Sequence, residues 1–383
     1  MTSSDAARPR ALWALTALGA AGVIAAYFAA PRERFWANWV FWFLALATVG
    51  LGCLFIVALE HLVNSRWSVP IRRTPERLAS LVIPSAAAGL LALLALPVLY
   101  PWARPGEALP EVVLRKAVWL NIPFFSARAL ACFALWCLFY RLLVGASLRQ
   151  DETADPAVTV RLRRLAPVFM AVFAITLTLV AFDWISSLEP SWYSDMFGVY
   201  AFAGAFMAGL AATTLGVIHL KERGRLEGVL GDHLYSLGGY LFAFTVFWGY
   251  IGFAQYMLIW YGDMPEEVFW FKERTEGPWL ALALALGLFR FVVPFFALIT
   301  RDAKEDPRVL KAMALLVLAG QLLDLYWMVF PAVSKRPLFS WPEVSFALFF
   351  LGGALLWVRR AMATGRDMPV GDPFLKEGLE FRL

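Results

Sequence analysis

Four ionisable side chains sit inside long apolar stretches: Arg128, Asp183, Arg290 and Asp324. A charge in the hydrocarbon region is costly, and where one persists it faces a bundle interior, a partner or water. Arg128 precedes Asp183 on successive apolar stretches, and Arg290 precedes Asp324 in the same order. Taking roughly 1.5 Å per residue, both arginines are expected about 16 Å below the outer helix end, Asp183 about 6 Å and Asp324 about 9 Å below it. An Arg side chain spans either gap directly or through one water. Two pseudo-equivalent pairs follow, Arg128–Asp183 and Arg290–Asp324. Such pairs can pin helix register as structural salt bridges. They can also line a polar path in each bundle, for protons or for a quinone head group.

Polar neighbours extend both pairs. Thr176 lies seven residues before Asp183 and shares its face, and Asn121 stands likewise to Arg128. Gln321 is one turn before Asp324. Pro294 cannot donate to the carbonyl of Arg290, which leaves an acceptor free beside that charge. Buried Thr and Asn often bond only to their own helix backbone, which is the plainer account. Near the opposite helix ends lie Glu60-His61, His219 at the matching place, and Asp232-His233. They read as interfacial residues in water, or as the inner mouth of a proton path, since histidine titrates near neutral pH. Three histidines at one membrane edge do not suit a bis-histidine haem.

A further group, Trp248, Gln255 and Tyr256 with Gly249 and Gly252, falls on one stretch, and Trp248 and Gln255 share a face. It reads as an aromatic slot for a ring-shaped, lipid-soluble ligand, or as aromatic packing between helices. The chain carries no nucleotide-binding loop, cysteine cluster or nucleophile elbow. Cys53, Cys132 and Cys137 lie in apolar stretches and read as small core hydrophobes. No catalytic residue, metal site or bound redox cofactor of its own is expected.

The elements that must position these groups are membrane helices. Of 383 residues, 61% are hydrophobic and 16% charged, against about 25% charged in soluble domains. Apolar runs recur along the whole length, so the expected fold class is all-α integral membrane. Ten spans are read, at 11–30, 37–59, 80–100, 117–140, 165–187, 194–219, 234–261, 278–300, 310–330 and 341–358. The first follows Arg8 and Arg10 and, at about 20 residues, is too long for a signal-peptide core of about 7–15. The loops on the side of the two ends hold 23 Lys and Arg and the opposite loops 9. By the positive-inside rule both termini are cytoplasmic. The net charge of +5 is then a topology signal, not a sign of nucleic acid.

Spans two to five read like spans six to nine. Spans two and six open with aromatics, pass two glycines (Gly50 and Gly52; Gly204 and Gly209) and end in histidine before a basic loop. Spans four and eight carry the arginines, spans five and nine the aspartates. The two sets run in the same direction, as parallel repeats. The expected organisation is residues 1–33 with flanking helix one, 34–190 and 191–333 as two four-helix bundles, and 334–383 with flanking helix ten and the tail.

The junction between the halves reads Asp-Trp-x-x-Ser-Leu-Glu-Pro-x-Trp-Tyr-Ser-x-Met-Phe-Gly over residues 183–198. It resembles the signature of the ActF family, integral subunits of bacterial alternative complex III within the wider NrfD/polysulfide-reductase membrane-anchor group. Arg34-Phe-Trp-Ala-Asn38, Trp67-Ser-Val-Pro-Ile-Arg-Arg73 and the segment from Asp232-His-Leu-Tyr-Ser236 to Gln255-Tyr256 are similar to the same family. The resemblance covers nearly the whole chain. It implies a subunit of a respiratory quinol:cytochrome c, or quinol:electron-acceptor, oxidoreductase. Its implied partners are an NrfD-like sister subunit (ActC), an iron–sulfur protein, haem c subunits and a terminal oxidase. In such an assembly the iron–sulfur clusters and haem c belong to partners, menaquinol is the electron source, and the sister subunit is the better candidate for its site. With no histidine in the middle or outer half of a span, the residues favour a scaffold with a proton path. The alternatives are a secondary transporter with parallel repeats and a purely structural membrane anchor.

Overall fold

The computed structural model describes residues 3–383, with side chains from Arg10 onward; Arg8, counted above with the basic start, is not among those side chains. Among the described residues, ten helical segments are long and apolar enough to cross a membrane. They are α1 (Arg10–Ala29), α2 (Arg32–Leu62), α3 (Val69–Leu99), α4 (Ile122–Thr153), α5 (Pro156–Leu188), α6 (Phe197–Glu222), α7 (Gly231–Gly262), α8 (Pro278–Ala297), α9 (Pro307–Ala332) and α10 (Trp341–Ala363). No strand occurs among the described residues. The fold is an all-α integral membrane architecture.

Helices α2 to α5 pack in a ring, each against the next and α5 back onto α2, and α6 to α9 do the same. The two bundles meet through α2 and α6, the most buried pair of spans. Glycine makes that contact possible. A Cβ on Gly52 would fall 2.0 Å from the Ala205 carbonyl oxygen, and one on Gly209 would fall 2.4 Å from the Gly52 backbone. Helix α1 packs on α10 outside the first bundle. Helix α10 is fixed to α2 by Arg34, whose Nε donates to Glu343 Oε1 at 2.8 Å, and by Asn38, whose Nδ2 donates to the same oxygen at 3.1 Å.

Helix ends differ from the expected spans where local chemistry extends or cuts them. Helix α3 starts at Val69 rather than residue 80, entering through short 3-10 and α turns at Pro70 and Pro75. Arg72, Arg73 and Arg77, expected as loop charges, are therefore buried inside the fold. Helix α4 starts at Ile122, later than expected, because the Asn121 side chain accepts from Phe124 N at 2.9 Å and Pro123 follows directly. Helices α4 and α5 run on almost to each other, turning at Ala154 in the left-handed region, and Asp155 caps α5 by accepting from Ala157 N. The expected loop over 141–164 is thus mostly helix.

After α10 the tail folds back across one face of the bundles. Asp372 pairs with Arg72 at 2.8 Å, Asp367 with Arg77 at 2.7 Å and Arg225 at 2.7 Å, and Glu377 with Arg66. We call this the tail face; the junction of residues 183–198 lies on the opposite one.

Candidate functional site

In the second bundle, Arg290 sits in a π-helical turn of α8, Leu288–Val292. The cause is Pro294. Its ring nitrogen cannot donate to Arg290, so the Val293 N–H reaches five residues back to Leu288 and the helix widens by one residue. The wide turn aims Arg290 at α9, where Gly320 leaves room: a Cβ there would fall 3.0 Å from Arg290 Cβ. Arg290 Nη1 donates to Asp324 Oδ2 and Nη2 to Gln321 Oε1. Tyr200 on α6 donates its hydroxyl to Asp324 Oδ1 at 2.6 Å, and the guanidinium lies over the Trp248 ring, 4.4 Å from its centroid. Arg290 and Asp324 are buried at 0% and 1% exposure. Such a pair is held only if most of its hydrogen bonds are made, and here α6 and α9 supply them while α7 lays the Trp248 ring over the guanidinium.

The first bundle carries the topologically matching pair. Arg128 Nε and Nη2 donate to the two Asp183 oxygens, each at 2.9 Å, in a bidentate fork. Trp119 Nε1 donates to Asp183 Oδ1 at 3.1 Å, its carbonyl accepts from Arg128 Nη1 at 3.0 Å, and its ring covers the guanidinium at 4.0 Å. The two pairs differ in depth, against expectation. With α4 starting at Ile122, Arg128 is only about 9 Å inside its helix, whereas Arg290 is about 18 Å inside α8. The first pair sits beneath a Trp119 lid at the junction face; the second is deep.

Other expected path residues are placed as follows. Thr176 accepts from Trp136 Nε1 at 2.9 Å and donates to the Val172 carbonyl, so it links α5 to α4 without touching Asp183. Asn121 is the α4 cap and does not share a helix face with Arg128, because the helix begins after it. Glu60 and His61 are buried, not in water, while His219 is exposed, so the two histidine positions are not equivalent. Glu60 and His61 border a charged layer that sequence reasoning took for loop. There Arg73 pairs with Asp151 at 2.7 Å and with Glu76, and donates to Ser147 Oγ at 3.0 Å. Glu60 Oε2, His61 Nε2 and Thr74 Oγ1 are buried without a hydrogen-bond partner, and Glu76 Oε1 meets Arg72 Nε at 3.3 Å. Clustered orphan acceptors and donors of this kind are where internal water sits. His233 accepts from Leu230 N at 3.1 Å, and its other nitrogen meets the Gly378 carbonyl at 2.9 Å, so it anchors the tail.

A sparse seam of three buried polar side chains, Thr48, Cys53 and Thr213, runs along α2 and α6; Cys53 Sγ lies 3.8 Å from Thr213 Oγ1, and Thr48 donates to its own Ala45 carbonyl. Thr48 also borders a cavity of about 30 Å³ whose walls are mostly apolar, among them Leu44, Leu51 and Val180, together with Tyr200, Gln321 and Asp324; it has room for a water beside the carboxylate. A second cavity of about 270 Å³ opens on the other side of Tyr200 and is lined by Trp248, Gln255, Tyr256, Trp270, Phe271 and Trp327.

The junction motif is built into the fold. Tyr100 donates to the Trp184 carbonyl at 2.9 Å, Trp102 to that of Ser187 at 3.1 Å and Lys116 to that of Pro190 at 2.7 Å. Trp192 stacks on Trp270 at 4.3 Å, joining the junction to the short outer helix Pro265–Thr275. Asp195 is exposed, whereas Glu189 accepts from buried Arg274 Nη2 at 2.6 Å. Burial, and then the neighbouring Glu189 carboxylate, push the Glu273 carboxyl up to about 7. Sequence reasoning missed Arg274, Glu189, Glu76 and Tyr200, since each lies in a segment where water or plain packing is the default reading. The chain matches no protein-family model and no curated protein.

Proposed function

We propose that the chain is an integral membrane subunit of a respiratory quinol-oxidising complex of the alternative complex III type, acting as a scaffold that also carries a proton path. The observation that supports the path most is the deep Arg290–Asp324–Tyr200 group with room for water beside it, together with an orphaned acid and histidine at the tail face. Asp324 is the group that would pass protons, Arg290 and Tyr200 position it, and Glu60, His61 and Glu76 form the other mouth. The seam between them is sparse, so protons would cross it on mobile water. The first pair, capped by Trp119 and held from both sides, suits a structural pin. The family resemblance of the junction is the ground for the respiratory assignment, and the buried junction gives partner subunits a rigid platform.

The transporter reading draws on the broken α8. Alternating-access folds, however, interrupt helices at corresponding places in both halves. Here the breaks fall in α8 and in the proline-rich α3, which do not correspond. Two measurements test the proposal. Affinity purification of the tagged chain from mild detergent is expected to bring haem c and iron–sulfur subunits with it; a lone, stable chain would sink the respiratory reading. In the assembled complex, Asp324→Asn is expected to leave electron transfer in place and reduce coupled proton movement. Unchanged proton movement with intact assembly would remove the path.

A further inference from the structure

We infer that the outer groove between the tail-face ends of α4 and α5 is a binding site for an anionic phospholipid, its phosphate held by Arg141, Arg149, Arg161 and Arg164. All four side chains are exposed, and among the described residues none of them meets a carboxylate or donates a hydrogen bond. The acids of the same hairpin are used elsewhere or turned away: Asp151 is held by buried Arg73 at 2.7 Å, and Asp155 caps α5. Arg163, which falls between two of the four in sequence, turns inward over the Phe374 ring at 4.8 Å. Other exposed arginines of this face have their own carboxylates, Arg66 in Glu377, Arg225 in Asp367 and Arg301 in Glu305.

Depth suits a headgroup. From Ile122 to Arg141 and from Trp184 to Arg164, α4 and α5 each cover about 30 Å, the thickness of the hydrocarbon layer. Over that length the exposed side of α4 carries Leu130, Ala134 and Leu138, and that of α5 Val168, Ala171 and Ile175, with no charge. The bonds from Trp136 Nε1 to Thr176 Oγ1 and from Gln150 Nε2 to Thr159 Oγ1 set the register of this antiparallel pair. Arg149 therefore stands level with Arg161, and Gly145 with Arg164. Like charges at one level repel, and an anion between them turns that repulsion into attraction. Gly145 keeps the groove open, since a Cβ there would have only Arg149 Nη1, at 3.7 Å, for a neighbour. A phosphate lodged at this level lays its acyl chains along the small apolar side chains beneath. A soluble anion makes no use of that apolar track, so the charges and the track together specify a lipid. The site goes beyond the function proposed above and does not rest on it.

The test uses the full chain in phosphatidylcholine nanodiscs doped with a photoreactive phosphatidylglycerol, followed by peptide mapping. Saturable label in residues 134–149 and 161–175 is expected, competed by unlabelled phosphatidylglycerol and not by phosphatidylcholine or inorganic phosphate. One arginine at a charged lipid surface is worth about fivefold in binding. Arg141→Gln and Arg164→Gln should each weaken competition by about that factor, and together by about 25-fold, with native elution because both side chains are exposed and unpaired. Arg359 and Arg360 are also exposed but stand side by side on α10. Replacing both by Gln removes the same charge and is expected to leave the label within about twofold of native. The inference is overturned if label spreads evenly over the tail-face helix ends, or if the Arg359 and Arg360 variant loses as much as the α4 and α5 variant. It is also overturned if inorganic phosphate competes, or if Arg141→Gln with Arg164→Gln binds within about twofold of the native chain.

Discussion

Replacing Asp324 by Asn removes the carboxylate bonded to Arg290 and leaves a cation that is 0% exposed. The remaining partners are neutral, namely Gln321 Oε1, the Gly320 carbonyl at 3.5 Å and the Trp248 face. Breaking one side of a buried pair costs about 3–5 kcal/mol, most of it the unpaired charge left behind. The matching change Asp183→Asn is expected to cost less, about 1–3 kcal/mol. Arg128 keeps the Trp119 carbonyl at 3.0 Å and two aromatic faces, and at roughly 9 Å from its helix end it can reach towards the interface. Removing both charges deep in the second bundle, as Arg290→Met with Asp324→Leu, is expected to be no worse than Asp324→Asn alone, since an apolar pair leaves no buried ion. Thermal unfolding in a fixed detergent, read by fluorescence-detected gel filtration, measures all three. Asp324→Asn is expected to lower Tm by on the order of 5 °C, and more than Asp183→Asn does. The reasoning fails if Asp324→Asn is harmless, if the two single variants rank the other way, or if the double variant is the least stable.

Further outcomes follow from the same structure. Asp372→Asn strips a buried arginine of one partner and is expected to cost about 3 kcal/mol, whereas Glu377→Gln acts on a half-exposed pair and is expected to cost under about 1 kcal/mol; equal losses in chemical or thermal unfolding would refute the tail's buried docking. Gly209→Ala places a Cβ 2.4 Å from the Gly52 backbone and is expected to splay the two bundles and lower the yield of monodisperse protein. Gly353→Ala, with open space around it, should be neutral or gain up to about 1 kcal/mol. For Glu273 the carboxyl is raised from 4.5 to about 7. An acid with a raised folded value favours the fold in its protonated form, so its contribution is full below pH 4.5 and is lost as pH rises through about 7. Hydrogen exchange across residues 265–275 should therefore speed up between pH 5 and 8 beyond its intrinsic rise, and Glu273→Gln should flatten that difference.

The ten spans, the two bundles and the Arg–Asp partners were legible because each rests on a strong local signal: runs of apolar residues, or a charge where none is tolerated. Depth was not legible. It turns on where helices start, and Asn121 and Pro123 delay α4 by a few residues while Pro70 and Pro75 carry α3 in early. That second shift also hid the tail-face layer. Arg72, Arg73 and Arg77 look like topology charges in a string, and only the folded tail, together with Glu76 and Asp151, reveals them as buried. Long-range partners of this kind leave no periodicity behind. Tyr200 is another case, one aromatic among many at the start of α6 until α9 brings Asp324 to its hydroxyl.

The unequal depth of the two pairs is what divides their roles. Parallel repeats begin with equal sites, so a difference between them marks where the two halves have diverged. In the first bundle a bidentate fork, a Trp119 lid and helix-end placement satisfy both partners of the pair. In the second bundle α8 starts at Pro278, well before Arg290, so the arginine lies about 9 Å deeper than its counterpart, and the proline that widens the helix aims it at α9. The pair then stands between a water-sized cavity on one side of Tyr200 and a ring-sized one on the other. A group that only fixed register would not need space on both sides. Pro294→Ala is the substitution that tests this directly. It restores the missing donor, is expected to return α8 to regular helix and turn Arg290 away from Asp324, and should therefore reduce proton movement in the assembled complex. Unchanged proton movement in that variant would refute the role given to the widened turn.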